Sequence, residues 1–311
     1  MEPIGFTSAI ASIPGVFKSC MDCFEYIQLA RHFGDDFGFC LAQLEATQLQ
    51  FTRWGKVMGL FDEPFDPDAL YKRGGSAWTE PEIKKAIRWI GLLHDKFEAA
   101  KKTSDEYALE MEDEDPDVLL VPDQDQQLGN AQPPVRKLVF SMRKVTKARQ
   151  KGTTLRKKVK WALYTKSHFE MLIENITRLV DKITELFPNL DEKQQGLAKE
   201  EVKEVEVESI PVLAKILATR KTDKLLDLAI KERVKAEGHV FRDIEISMNK
   251  DGFHRMGNTY ENVEVVKSEP MTFERIKIGG SGVSHAGHIF TQTVTGQQSR
   301  QHEGRRDGGD S

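Results

Sequence analysis

Cysteine is scarce in this chain and absent after residue 40. The 311 residues contain only Cys20, Cys23 and Cys40. A sparse, odd number of thiols argues against a disulfide framework and is typical of a reducing compartment. The Cys20-x-x-Cys23 pair has no second CxxC or CxxH to complete a zinc set, and no βαβ pattern surrounds it. We therefore predict a structural role for these thiols and no metal site.

The sequence also lacks an apolar run long enough for a constitutive transmembrane helix. Residues 3–17 carry no charge, but no basic segment precedes them, so a secretory signal is not expected. As a helix they measure about 22 Å, less than the ~30 Å of a bilayer core. Extending the helix adds Lys18, Asp22 and Glu25. Two interpretations remain open, a conditional membrane-inserting segment and a buried first helix, and the residues favour the second.

Catalytic patterns are missing as well. No nucleophile–base constellation, phosphate-binding loop or metal-ligand set is recognisable, so we expect neither an enzyme nor a cofactor. Five of the eight histidines lie near the C-terminus, at positions 239, 254, 285, 288 and 302. Without ligand spacing they leave a metal-binding tail as a minor alternative.

Helical periodicity dominates residues 1–230. Apolar residues recur every three or four positions from Phe37 to Phe61, from Ile83 to Tyr107 and from Phe169 to Phe187. Pro64 and Pro188 interrupt the pattern. With no strand pattern in this part, the fold class is an all-α helical bundle.

Charge is segregated in the middle of the chain. Residues 103–135 have ten acidic side chains and no basic one, and residues 136–160 have eleven Lys or Arg and no acid. The prolines of residues 112–134 favour an exposed acidic loop, and the next stretch is a basic amphipathic helix. Its basic face is interpreted first as a solvated face paired with that loop, second as a surface for anionic lipid, and last as a nucleic-acid site.

From Gly238 the periodicity changes to glycine-punctuated, self-similar segments. Three units begin at Gly238, Gly257 and Gly287, and each has an aromatic residue at its fourth position and a β-branched residue at its seventh and ninth. The predicted inward core positions are Phe241, Ile244, Ile246, Tyr260, Val263, Val265, Phe290, Thr293 and Thr295. The predicted corners are Gly238, Gly257, Gly279, Gly287 and Gly304.

Stacked copies of such units would build a β-solenoid or a cross-β fibril. In this alignment Arg242 and Glu261 coincide favourably, whereas Glu245 and Glu264 repel. Residues 279–286 are interpreted as a loop between units. The tail, residues 238–304, is expected to be disordered in the monomer, as are residues 305–311, and a plain flexible tail is the alternative.

Several stretches resemble the HeLo domain of fungal heterokaryon-incompatibility proteins of the HET-S type. They are residues 20–34, the Arg53-Trp54-Gly55 triplet, residues 97–104, and the segment from Trp161 to Pro188. Together they span most of residues 1–230. The tail resembles, more weakly, the prion-forming repeats of that family.

The resemblance implies a mechanism that the residues alone do not. The tail forms an amyloid solenoid when templated by a matching tail, and the helical domain then exposes its N-terminal segment and damages the membrane. The implied inserting residues are Ile4, Phe6, Ile10, Ile13, Val16 and Phe17. His32 corresponds to the active form of the family, in which an inactive allele has proline, although it could simply be a polar residue of a loop.

The predicted function is therefore a membrane-disrupting cell-death effector activated by amyloid templating. The expected partners are further copies of the tail, a receptor with a matching motif, and anionic membrane lipid, with no nucleic acid. A soluble form is expected in the cytoplasm, relocating to the cell membrane on activation. The alternatives are a non-lytic prion-like regulator and a helical adaptor with a linker tail.

Overall fold

The computed structural model describes residues 3–62, 64–66, 80–150 and 160–237, together with eight strands between residues 239 and 291. The chain divides into two compact units, residues 1–233 and residues 234–311. The first unit is mostly helical, which confirms the predicted fold class for this part of the chain.

Nine α-helices are described in and at the end of the first unit. They are α1 (Pro3–Tyr26), α2 (Phe37–Met58), α3 (Glu80–Glu112), α4 (Gln124–Gly129), α5 (Pro133–Arg149), α6 (Lys166–Thr184), α7 (Asp191–Glu204), α8 (Ile210–Arg220) and α9 (Lys224–Glu237). Short 3₁₀ turns lie at Arg31–Asp36, Pro116–Leu119, Pro188–Leu190 and Val207–Ser209. The last helix continues past the predicted boundary at residue 230.

The core is built from the apolar faces that the periodicity predicted. In α3 the buried residues include Ile83, Ile90 and Phe97, and in α6 they include Phe169 and Ile176. Helix α2 is buried on nearly all sides, and it packs against α1, α5, α6 and α7. Within the described residues, no helix combines the length and the apolarity needed to cross a bilayer.

Helix α1 docks on α2 through a glycine. Phe17 is buried, and its ring lies 4.6 Å from that of Phe51, 5.4 Å from that of Phe61 and 6.1 Å from that of Trp54, between centroids. A Cβ added at Gly55 would meet the Phe17 ring at 2.2 Å. The absence of a side chain at this position of α2 is therefore what lets the aromatic ring lie against the helix backbone.

A small parallel sheet was not predicted. Strand β1 (Ile27–Leu29) pairs with β2 (Trp161–Leu163), and both are largely buried. The Ser104 hydroxyl donates a hydrogen bond to the Ala162 carbonyl, which ties α3 to the sheet. Strands of three residues are too short to produce a recognisable alternation, so the expectation of no strand in this part of the chain was wrong.

The interpretation of residues 112–134 as an exposed loop is only partly right, since most of these residues are exposed but the segment is not one loop. This segment contains a 3₁₀ turn and helix α4, and Val118 and Leu128 are buried. Asp123 accepts a hydrogen bond from the Gln126 amide at 2.9 Å and so caps α4. Leu120 accepts one from the Arg31 amide. Local capping and two apolar anchors outweigh the acidic composition of the segment.

The second unit contains eight short strands: β3 (His239–Arg242), β4 (Glu245–Met248), β5 (Phe253–Met256), β6 (Thr259–Glu261), β7 (Met271–Glu274), β8 (Lys277–Gly280), β9 (Val283–Ala286) and β10 (Ile289–Thr291). They form four parallel pairs, β3 with β7, β4 with β8, β5 with β9 and β6 with β10. The strands therefore define two repeats of four strands, each strand pairing with its counterpart one repeat later.

This register corrects the alignment into three units. The equivalence of Tyr260 with Phe290 is confirmed, but Phe241 lies opposite Phe273 and not in register with Tyr260. Gly279 is not a corner, because it lies within β8 opposite Ser247. The segment 279–286 is not one loop, since it contains the end of β8 and all of β9. In the two-repeat register, residues of opposite charge lie opposite each other in neighbouring strands.

Replacing Gly55 with alanine should destabilise the helical unit. The added methyl group forces the Phe17 ring out of a packed position, and overpacking of this kind costs about 1–3 kcal/mol. That exceeds the gain of up to about 1 kcal/mol that alanine gives over glycine in a helix. The melting temperature of the full-length protein should fall by several degrees.

Gly91→Ala is the matched control. Gly91 also lies inside a long helix, but a Cβ there meets nothing within 4 Å. This variant should keep or raise the melting temperature. Equal responses of the two variants would contradict the glycine-dependent docking of α1.

Candidate functional site

The predicted inserting segment is part of the folded core from Ile13 onwards. Ile13 and Phe17 are buried and Val16 is half-buried, all within α1. Ile4, Phe6 and Ile10 lie in the same helix, and their side chains are outside the described residues. The interpretation as a buried first helix is confirmed for Ile13 and Phe17. Any insertion of these side chains into a membrane would first require α1 to leave α2.

His32 lies in the 3₁₀ turn between β1 and α2. Its side chain is outside the described residues, but the backbone around it is held by neighbours on both sides. The Ala30 amide donates to the Leu163 carbonyl at 3.0 Å and the Arg31 amide to the Leu120 carbonyl at 2.9 Å. Phe33 is buried edge-on against Phe169. The turn therefore joins three separate segments of the helical unit.

A buried ion network connects α2 to α7 and to Asp223, the residue just before α9. Arg53 of α2 is 1% exposed, and it binds Glu201 of α7 through Nε at 2.9 Å and Nη2 at 2.8 Å. The same guanidinium binds both carboxylate oxygens of Asp223, at 2.9 and 2.7 Å. Arg149 of α5 adds a second cation to Glu201 at 2.5 Å. Both carboxylates are thus held in the fork geometry that makes arginine pairs strong.

Asp223 has a second role at the start of α9. Its Oδ1 accepts a hydrogen bond from the Leu226 amide at 3.1 Å, as an N-cap residue does. Its backbone has a φ of +49°, a strained conformation for a non-glycine residue. Its own amide donates to Asp181 of α6 at 3.3 Å. The first turn of α9 is therefore positioned by the same carboxylate that pairs with Arg53.

The pKa values in this network depend on how its charged groups are paired. Burial disfavours the charged guanidinium, but Asp223 and Glu201 outweigh that effect and raise the pKa of Arg53 above its ordinary value. Burial raises the pKa of Asp181, and hydrogen bonds from Gln50 and Thr222 offset part of this rise. Removing one partner would leave its neighbours as buried charges without compensation, which is costly.

The basic helix α5 is largely neutralised within the fold. Lys137 pairs with Glu206 and Glu208, both at 2.7 Å, and Lys144 pairs with Glu204 at 2.6 Å. The first interpretation of the basic face, pairing with the acidic segment 112–134, is only partly right, because most of the acidic partners come from another part of the chain. Most of the acidic partners lie in residues 201–208, at the end of α7 and just after it, and not in the segment 112–134.

Arg143 of α5 does reach the earlier acidic segment. It pairs with Asp125 at 3.0 Å and with the buried Glu45 at 2.6 Å. Burial raises the pKa of Glu45, and Arg143 counteracts part of that rise. Binding of α5 to anionic lipid stays a prediction.

In the tail the strand register brings opposite charges together. Arg242 lies opposite Glu274, and Glu245 lies opposite Lys277. The predicted coincidence of Glu245 with Glu264 does not occur, because Glu245 is in register with a lysine. Each repeat thus presents charges complementary to those of the other, which favours alternate stacking of the two.

The predicted core positions fall partly in the strands. Phe241, Ile246, Tyr260 and Phe290 lie in β3, β4, β6 and β10, and Ile246 is opposite Ile278. The remaining positions are outside the described residues: Ile244, Val263, Val265, Thr293 and Thr295, the corners Gly238, Gly257, Gly287 and Gly304, and the end of the chain at 305–311. They stay predictions.

A further group of polar side chains was missed by the sequence analysis. Cys23 of α1 lies near His94 and Glu98 of α3, with one ligand atom of each residue within 4.8 Å of the others. Cys20 is turned elsewhere, towards the Ile90 carbonyl, at 3.5 Å. The CxxC spacing gave no indication of this group, because the residues near Cys23 come from a distant helix.

Comparison with known proteins identifies the family. Residues 5–216 match the family model HeLo, described as prion-inhibition and propagation. The match covers most of the helical unit and ends before the tail strands. The chain belongs to the HeLo family, which confirms the resemblance drawn from its sequence.

Two relatives come from the fungus Podospora anserina. Heterokaryon incompatibility protein s is 32% identical over 209 residues, and heterokaryon incompatibility protein S is 30% identical over 208 residues. Each alignment covers 67% of this chain and 67% of the relative.

Two solved structures are similar to this one. The HET-S N-terminal domain matches with a TM-score of 0.60 at 27% identity, over 75% of this chain and 99% of that domain. A double mutant of the HET-s N-terminal domain matches with a TM-score of 0.57 at 29% identity, over 72% of this chain and 98% of its own.

Arg53→Met should destabilise the helical unit by about 3–5 kcal/mol, because it leaves Asp223 and Glu201 buried without their main cation. Native-state hydrogen exchange should show the largest loss of protection in α9, whose N-cap is one of the orphaned carboxylates. The measurement is chemical denaturation combined with exchange of the full-length protein.

Arg178→Met is the matched control. Arg178 pairs with Glu174 on the exposed face of α6, at 2.7 Å. Surface pairs of this kind contribute about 0–1 kcal/mol. If Arg53→Met proved as mild as this control, the buried network would not stabilise the fold in the way described.

Proposed function

We propose that this protein is a membrane-disrupting effector of fungal heterokaryon incompatibility, switched on when its C-terminal repeats stack on a matching template. The observation that carries the proposal is the presence, in one chain, of a HeLo-family helical unit and two complementary four-strand repeats. The names of the relatives support a role in incompatibility. In this proposal the protein has no catalytic activity.

Templating follows from the parallel register. In the described strands each sheet has two members, so the backbone of both repeats can be extended by another copy. If the first repeat of one molecule stacks on the second repeat of the next, the pairs of Arg242 with Glu274 and of Glu245 with Lys277 form again between molecules. Stacking like on like would oppose equal charges at Arg242 and at Glu245, and is disfavoured. A receptor with a matching repeat would serve as a template by the same rule.

The coupling to the helical unit runs through α9. This helix ends at Glu237, and β3 begins at His239. When the tail becomes part of a rigid fibril, the chain just before it is constrained, and α9 is tied to α2 at its other end by Asp223 and Arg53. Loss of that contact would leave the Arg53 guanidinium of α2, next to Trp54 and Gly55, buried without one of its carboxylate partners.

Release of α1 is the proposed final step. Phe17 packs on the same turn of α2 that carries Arg53, so disturbing that turn weakens the docking of α1. The uncharged segment that includes Ile4, Phe6 and Ile10 would then be available to a bilayer. We propose that the protein is cytoplasmic before activation and relocates to the cell membrane, where anionic lipid attracts it.

A second candidate function is a regulator that propagates a prion without lysing membranes. The description of the family, prion-inhibition and propagation, favours this alternative. Both functions need the same assembled tail, and they differ only in whether anionic vesicles leak.

A charge exchange between the repeats tests the proposal. Arg242→Glu places two acids in register with each other, a change of about 0.2–1 kcal/mol per pair that recurs at every rung. Full-length Arg242→Glu, seeded with wild-type tail fibrils, should convert slowly and release little dye from anionic vesicles. The double variant Arg242→Glu/Glu274→Arg should convert readily when seeded with its own fibrils.

Arg242→Glu/Glu261→Arg is the matched control, since it carries the same charges at positions that are not in register. It should stay as slow as the single variant. Rescue by this control would favour the three-unit register instead. Normal fibril formation with no dye release by the wild-type protein would reject the lytic function and favour the prion-like regulator.

A further inference from the structure

The seam between α1 and α3 brings together a thiol, an imidazole and a carboxylate. Cys23, His94 and Glu98 each offer one ligand atom, and the three atoms lie within 4.8 Å of one another. His94 Nε2 is 3.8 Å from Glu98 Oε1. The plain alternative is a core cysteine beside an ordinary i,i+4 surface pair.

The seam is fixed on both sides of these residues. One turn before Cys23, the Cys20 thiol donates to the Ile90 carbonyl, and one residue after it, Phe24 packs edge-on against Phe97 at 4.9 Å. Because α1 and α3 are held at these two points, the backbone positions of the three candidate ligands are set before any ligand arrives. Ligand residues that are already held in position favour metal binding, because less conformational entropy is lost when the ion binds.

The spacing fits a tetrahedral ion. Ligand atoms about 2.0–2.3 Å from zinc are roughly 3.3–3.8 Å apart at tetrahedral angles. The imidazole and carboxylate are already at this separation, and the Glu98 side chain is largely exposed and able to adjust. The i,i+4 spacing on α3 places both groups on one helix face.

The exposure of the three residues also fits. Cys23 is buried, His94 is 29% exposed and Glu98 is 57% exposed, so the group opens towards solvent from a buried thiol. An ion can therefore enter from the surface and meet the thiol last. A sulfur, a nitrogen and an oxygen ligand suit Zn²⁺, whereas Mg²⁺ and Ca²⁺ require oxygen ligands only.

We propose that Cys23, His94 and Glu98 bind one Zn²⁺, with a fourth position open to water. The bound ion would link the N-terminal helix to α3 by coordinate bonds. Binding deprotonates the Cys23 thiol and releases a proton to solvent. This inference does not depend on the proposed function, because it concerns only the folded helical unit.

Titration of the full-length protein with Co²⁺, a spectroscopic substitute for Zn²⁺, tests the site. One equivalent should bind, with a near-ultraviolet thiolate-to-cobalt absorption band and with tetrahedral visible bands. Zn²⁺ should displace the Co²⁺ and raise the melting temperature. His94→Gln and Glu98→Gln, both at accessible positions, should weaken binding at least about tenfold, and Cys23→Ala should abolish the thiolate band.

Asp95→Asn is the matched control, because it removes an exposed carboxylate beside His94 that does not belong to the group. It should bind Co²⁺ like the wild-type protein. A thiolate band that persists with unchanged affinity in His94→Gln and Glu98→Gln would overturn the proposal, because these two residues would then not bind the ion. The absence of any thiolate band in the wild-type protein would overturn it as well.

Discussion

The buried ion pairs of Arg53 are the interaction on which the rest of the helical unit depends. They join α2 at the centre of the unit to α7, and through Asp223 to the start of α9. Each of the three groups is almost fully buried, so none is stable as a charge without the others. A fold organised in this way is cooperative, because the last helix cannot leave without destabilising the central one.

This arrangement gives the proposed switch a physical basis. A buried arginine that loses a carboxylate partner is strongly destabilised, because its charge is left without compensation. One turn of α2 carries Arg53, Trp54 and Gly55. Arg53 binds Asp223, whereas Trp54 and Gly55 lie against the Phe17 ring. A change at the start of α9, where Asp223 binds Arg53, is thereby within one turn of α2 from the docking surface of α1. In the proposed switch, the tail acts on the helical unit through the covalent chain that joins α9 to β3.

Much of the fold follows from the sequence, for reasons that also explain the errors. Stripes such as Ile83 to Phe97 are visible because burial on one face of a helix repeats locally. The Arg53 network is not visible, because its members come from α2, α7 and the start of α9, and charged residues ordinarily mark the surface. One signal was present, since Arg53 lies among apolar neighbours, between Phe51 and Trp54.

The tail shows the same limit. Matching aromatic and β-branched positions selected the correct relation between Tyr260 and Phe290 but misaligned Phe241. The charges would have resolved the register, because Arg242 with Glu274 and Glu245 with Lys277 are complementary only when two repeats of four strands are aligned. The group of Cys23, His94 and Glu98 was missed because no local motif connects a cysteine with two ligands on another helix.

The central claim is that assembly of the tail opens the helical unit from α9 towards α1. Pulsed hydrogen exchange on the full-length protein, with mass spectrometry at intervals after seeding in the presence of anionic vesicles, tests it directly. The account predicts that amides of α9 lose protection with or before those of α1, and that dye release follows the exposure of α1. Dye release while α9 and α1 both keep their protection would contradict it.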